Sequence, residues 1–275
     1  GLTSEFGDVY VLRNTDEGSA ENFTLQVQKV NRGEGFFGNF SWTYGKSEEA
    51  NPFTSSRAVS NWNNRAVFNT NQVEIATSNF EVRHRFLGVL GYTHKWTDDI
   101  KTTATLVYEG REGRPFSYVF GNDINGDDVR DNDLFYVPTG PNDPLVSFDP
   151  AFDQSAFFNY LSAQGLNDFA GQALPRNSEK NPWVHTLDLK VVQELPVWND
   201  IHAELFFDFI NLGNWIDDEW GLVSEASFPF VAEVAEAEIV NGQYNFTEFD
   251  GETPRIRVGR YRSRWNLQFG AKIKW

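Results

Sequence analysis

The chain contains no cysteine among its 275 residues. That excludes a disulfide framework, thiolate catalysis and a Cys-based zinc site. Methionine is absent too, and residue 1 is Gly; the expectation is a removed signal peptide or a fragment. No apolar run approaches the roughly 20 residues a spanning helix needs, which excludes a helical membrane protein. Basic residues are few, with 23 Lys and Arg against 39 Asp and Glu, for a net charge of −16. Phosphate contacts need a basic face, so nucleic acid is not an expected partner. There is no Gly-x-Ser-x-Gly elbow, and His84, His94, His185 and His202 are scattered without metal-ligand spacing, so no catalytic residues are expected.

Aromatic residues, by contrast, are abundant: 25 Phe, 9 Trp and 9 Tyr make up 16% of the chain. That load suits aromatic girdles at two membrane interfaces. It also suits the aromatic core of a large water-soluble β-protein. The mean hydropathy of −0.48 does not separate the two, because barrel strands carry a polar residue at every second position. The last strand shows this alternation. Trp265, Leu267, Phe269, Ala271, Ile273 and Trp275 fall on one face, and Arg264, Asn266, Gln268, Gly270, Lys272 and Lys274 on the other.

The same period recurs along the chain and predicts about eight long strands. A weak first strand lies near Phe6 to Arg13. Asn22 to Val30 and Phe36 to Lys46 follow, then Phe80 to Lys95, Ile100 to Gly110, Trp183 to Leu195, Ile201 to Asn211 and the C-terminal strand. Short turns at 31–35, 96–99 and 196–200 alternate with long polar connections at 47–79, 111–182 and 212–262. A helical turn is expected near Ser56 to Asn61 and an amphipathic helix at Ala151 to Gln164, with Phe152, Phe157, Phe158 and Leu161 available for packing. Asn241-Gly242 marks a hairpin. Strict alternation trims one rim and elaborates the other, as in outer-membrane barrels with short periplasmic turns and long extracellular loops. The expected fold is all-β, an antiparallel transmembrane β-barrel segment.

Several segments, in order, resemble the C-terminal part of a TonB-dependent outer-membrane transporter of the Oar-like group. They are Arg83-His-Arg-Phe86, Gly113-Arg-Pro-Phe-Ser-Tyr118, Asp123-Ile-Asn-Gly-Asp127, Asn132-Asp-Leu-Phe-Tyr-Val-Pro138 and Phe206-Phe-Asp-Phe-Ile-Asn-Leu-Gly-Asn214, with the aromatic final strand. The resemblance implies a fragment of a barrel of about 22 strands with a plugged lumen, in the outer membrane of a Gram-negative bacterium. It further implies capture of a scarce, unidentified solute, with outer-membrane lipid, a plug domain and an inner-membrane energy-coupling protein as partners. The plug and the coupling box are not seen in these 275 residues. A small standalone barrel with an anchoring or adhesive role is the first alternative, and an outer-membrane enzyme the second.

One constellation suggests a metal. Asp123, Asn125 and Asp127 stand at positions one, three and five of a calcium-type loop, with the Val129 carbonyl at seven and Asp131 at nine. Leu134 occupies position twelve, where the bidentate Glu belongs, and Gly126 sits one place short of the usual glycine. Calcium in an extracellular loop is one expectation. An Asx-rich turn whose side chains bond its own backbone is the other. Glu204, Asp208, Asp188, Lys190, Arg264, Lys272 and Lys274 are expected on the inner face as charge ladders. Trp62, Phe68, Trp215, Trp220, Phe228 and Phe230 lie in the outer loops, and at least half are expected to be packed interiors.

Overall fold

The computed structural model describes residues 9–198, 201–249, 256–259 and 261–274. Seven long strands stand side by side in chain order: β1 (Ser19–Lys29), β2 (Gly35–Glu49), β3 (His84–Lys95), β4 (Lys101–Arg111), β5 (Val184–Trp198), β6 (Ile201–Ile210) and β7 (Asn266–Lys274). Every neighbouring pair is antiparallel. A two-residue strand, Ala76–Thr77, adds to the end of β2. The sheet is open: among the described residues β1 and β7 each have a partner on one side only.

Residues 9–13 do not form the expected first strand, and residues 6–8 lie outside the described residues, as do 199–200 of the third short turn and Trp275. The remaining seven strands fall where the alternation puts them, except that 80–83 lie outside β3 and Pro196 to Trp198, expected in the third short turn, continue β5 and pair with β6. The helical turn is α1 (Ala58–Asn63), the amphipathic helix is α2 (Gln154–Ala163), and the hairpin joins Val231–Val240 to Gln243–Glu248 through Asn241 and Gly242. Asp153 caps α2, its carboxylate accepting the Ala156 N–H at 2.9 Å. A third short helix, α3 (Leu212–Ile216), follows β6.

Register gives the sheet two unlike faces. Leu25 pairs with Trp42, Trp42 with Phe86, Leu90 with Leu106, Leu106 with Leu189, Val191 with Phe207, and Phe207 with Phe269. This apolar face runs without a break across all seven strands. Many of its large side chains are exposed, among them Leu106 at 37%, Leu25 at 56% and Phe269 at 71%, while Trp42, Phe86, Leu189 and Phe207 are half-buried. The opposite face carries Thr24 against Thr43, Arg85 beside Glu109, Lys190 beside Asp208 and Glu204 beside Lys272. Where that face holds an aromatic, a glycine lies beneath it on the next strand. A Cβ at Gly91 would come 2.1 Å from the Phe37 ring, so only glycine leaves room for the ring to lie flat.

The buried core lies elsewhere. The described residues of the connections 112–183 and 211–265 fold together into an outer body at the elaborate rim. Its five-stranded sheet orders Glu179–Lys180, Pro115–Phe120, Val231–Val240, Gln243–Glu248 and Val146–Phe148. Two of its pairings are parallel, Pro115–Phe120 with Val231–Val240 and Gln243–Glu248 with Val146–Phe148. Antiparallel pairing is therefore not universal. Parallel neighbours need long crossovers, and these connections are long enough to supply them. Phe120, Phe135, Phe157 and Phe246 are fully buried and in ring contact, with Leu161, Leu166 and Leu174 around them.

Candidate functional site

Two places concentrate polar chemistry: a cleft on the polar face under the outer body, and the aspartate turn within that body.

The cleft, of about 520 Å³, sits at the elaborate end of β1 to β4. Its floor follows from strand parity: Asn22, Thr43, Gly45, Ser47, Arg85, Glu109 and Arg111 all project from the polar face and line it, with Lys46 at its rim. Arg114 closes one side. Gly113 puts it there. A Cβ at that position would stand 2.0 Å from the Asn181 carbonyl oxygen, so glycine alone lets the two backbones cross. Asn181 Nδ2 then donates to the Arg114 carbonyl at 2.7 Å and pins the crossing.

The carboxylates of this cleft are neutralised locally. Arg85 Nε donates to Glu109 Oε1 at 2.7 Å. Glu81, whose side chain is buried, is 2.9 Å from Arg83 and 3.8 Å from Lys180, and its Oε2 accepts the Ser47 N–H. Arg111 stands 3.8 Å from Glu225, which Arg262 also reaches at 3.0 Å. Arg114 differs. Among the described residues no carboxylate lies within ion-pair reach of it, and its buried Nε has no acceptor. Four cations line the cleft against two carboxylates, though Lys46 is paired with Glu48 at 3.1 Å just outside it, in a chain whose net charge is −16.

The rim above the cleft is held by buried side chains reaching between connections. Arg176 donates to the carbonyls of Glu49, Ala50 and Glu74 at 2.5, 2.9 and 3.1 Å. Burial, with Arg65 nearby, lowers its guanidinium pKa to about 10. Asn177 donates to the Thr77 carbonyl at 2.6 Å and to Asn79 Oδ1 at 2.6 Å. These bonds tie 50–79 to the outer body.

At the turn, the structure brings Asp123, Asn125 and Asp127 together around Asp133, a residue the loop pattern passes over. Asp123 accepts the N–H groups of Gly126, Asp127 and Asp128. Asp127 accepts from the Val129 N–H at 2.9 Å and from Asn132 Nδ2 at 3.1 Å. Asp133 accepts from Ile124 N–H at 2.6 Å, Asn125 N–H at 3.2 Å and the Asn125 side-chain amide. Asp131 takes a left-handed backbone, φ 61°. Every carboxylate oxygen of Asp123, Asp127 and Asp133 thus takes a donor from the turn itself. Among the described residues no group of three His, Cys, Asp or Glu is placed to hold a metal ion. Burial pushes the Asp133 carboxyl up to about 6, with its two backbone N–H donors pulling down and the Asp127 and Asp123 charges pushing up.

Glu204 and Asp208 share the polar face, and each is engaged by a lysine, Lys274 and Lys190 respectively. His84 and His185 stack on Trp42 and Trp183 at the elaborate rim of the apolar face, while His94 meets Trp96 at the trimmed rim. Of the six outer-loop aromatics, Phe68, Trp215, Trp220 and Phe228 are exposed, and only Trp62 and Phe230 are partly buried. This corrects the expectation that at least half are packed inside: the body's core is filled by Phe116, Phe120, Phe135, Phe157 and Phe246 instead.

Arg85 and Arg114 lie inside segments already notable for other reasons, Arg83 to Phe86 and Gly113 to Tyr118, while Arg111 ends β4. Their convergence depends on β3–β4 register and on the Gly113 crossing, neither of which a one-dimensional pattern encodes. Compared with protein-family models, with curated proteins and with solved structures, the chain matches none of them.

Proposed function

We propose that the seven-stranded sheet is a stretch of outer-membrane barrel wall, and that the chain is the C-terminal barrel segment of a TonB-dependent receptor that takes up a scarce solute. The observation that carries this is the unbroken apolar face, whose Phe, Leu and Trp side chains have no partner layer among the described residues beyond α3 at the elaborate rim, where Trp215 meets Phe209. A water-soluble sheet buries such a face against another layer; hydrocarbon is the medium that needs no such cover.

Dimensions agree. Eleven residues of β4, at about 3.3 Å each and tilted by roughly 40°, rise about 28 Å, against an apolar band of about 25 Å. Aromatic rings gather at both ends of that face, Trp42, Tyr108, Trp183 and Trp265 at one rim and Phe36, Tyr92 and Trp96 at the other. The polar face would line the lumen, with its Lys–Asp and Lys–Glu pairs as wall ladders. The two unpaired edges favour a segment of a larger wall over a small closed barrel, since closure is what removes edges. On this reading the residues here supply wall and outer rim, and a plug domain with an inner-membrane energy-coupling protein supplies movement.

A chain without cysteine allows a direct test. Single Leu90→Cys and Val89→Cys variants, labelled with an environment-sensitive fluorophore, are refolded into phosphatidylcholine vesicles. Position 90 should emit blue-shifted light that lipid-borne quenchers extinguish, while position 89 should resist them. Equal quenching at both positions, or at neither, refutes the wall.

A further inference from the structure

The cleft under the outer body has a chemical preference that the wall reading does not itself contain. Its carboxylates are spoken for, Glu109 by Arg85 and Glu81 by Arg83 and Lys180. Arg114 has no such partner among the described residues, and its Nε is shielded from solvent with no acceptor. A guanidinium hydrogen that has lost water and gained nothing represents an unmet acceptor site. Arg111 is held only loosely, 3.8 Å from a Glu225 that it shares with Arg262. Lys46 at the cleft's edge is already paired with Glu48 at 3.1 Å, so the charge left over is that of the arginines, and Asn22 adds a neutral amide.

We propose that this cleft is a seat for a small oxyanion-bearing solute, a carboxylate or phosphate compound, gripped by Arg114 and Arg111. The volume of about 520 Å³ falls within the range of small-molecule sites. Planar guanidinium forks suit the paired oxygens of such groups. The surrounding acidity sharpens the choice. Anions are repelled over most of this chain, so the cleft is a local positive focus in a negative field, and binding there is discriminating rather than general. The assignment of the solute as transported cargo rests on the proposed lumen; the anion affinity of the cleft rests only on its own side chains.

The test uses the whole chain in detergent micelles, with citrate as probe and sorbitol as neutral comparison, followed by isothermal titration calorimetry. One citrate site is expected, weakening at least threefold between 50 and 300 mM NaCl as exposed charges are screened, with no heat from sorbitol. Arg114→Gln should weaken binding at least tenfold. Lys190→Gln, a cation on the same face but outside the cleft, should leave it unchanged. Glu109→Gln frees Arg85 and should tighten binding at least threefold, a gain that misfolding cannot mimic. The absence of citrate heat, equal losses in Arg114→Gln and Lys190→Gln, or no gain in Glu109→Gln overturns the proposal. Citrate binding by a chain that fails the vesicle test sinks the membrane wall and leaves the seat standing; a chain that passes that test and ignores citrate does the reverse.

Discussion

Leu106 and Val107 are neighbours in the middle of β4 and point to opposite faces. Leu106 stands in register with Leu90 and Leu189, and Val107 with Val89 and Asp188. Leu106→Lys therefore places an ammonium on the apolar face near its midline, whereas Val107→Lys places one within reach of the Asp188 carboxylate. If hydrocarbon covers the apolar face, the first substitution costs roughly 2–4 kcal/mol, or about thirty- to a thousandfold in the folding equilibrium. The second is close to neutral, since an exposed ion pair returns at most about 1 kcal/mol. In water the order is different. Leu106 is already 37% exposed, and replacing it with Lys on a solvated face changes stability by no more than about 0.5 kcal/mol. Urea titration of the vesicle-refolded chain, read by tryptophan emission, measures the difference. Equal midpoints for the two variants refute the assignment of the apolar face to lipid.

Three further outcomes are expected. The Asp133 carboxyl titrates near 6 in the folded chain against about 3.8 when unperturbed, so the fold favours its protonated form. Its contribution to stability is present in acid and is lost as pH rises from about 4 through 6; Asp133→Asn should gain in Tm relative to the parent over that interval, and parallel Tm curves would count against the buried placement. Gly91→Ala should destabilise by forcing the Phe37 ring off its seat, and adding Phe37→Ala should recover most of the loss, with additive penalties as the contrary result. Calcium titrated from micromolar to millimolar should leave amide exchange at 123–133 unchanged, because those carboxylates already accept turn N–H groups; protection that appears with metal and reverses with chelator would put a cation there.

The faces of the seven-stranded sheet were legible because a strand's side chains alternate strictly, and one misplaced residue flips the whole set. Leu205, Phe207 and Phe209 announced their face without any knowledge of partners. The segment 9–13 misled, since Val9, Val11 and Arg13 alternate without any neighbouring strand in the described structure to pair with. The outer body was illegible for a different reason. Its core joins Phe120 to Phe246 across more than a hundred residues, and parallel pairing leaves no hairpin signature to mark it. Trp215 and Trp220 misled in their turn: size suggests burial, but the core was already filled by phenylalanines from distant segments. The turn at 123–133 was located by its Asp and Asn spacing, yet Asp133 became its centre only because the chain folds back on Ile124 and Asn125.

The long connections are not tendrils. Phe135, Phe157 and Phe246 give the rim a solid keel of its own, independent of whatever medium surrounds the strands. Substitutions on its solvent-facing side should therefore leave that keel standing, because the rings that hold it do not reach solvent.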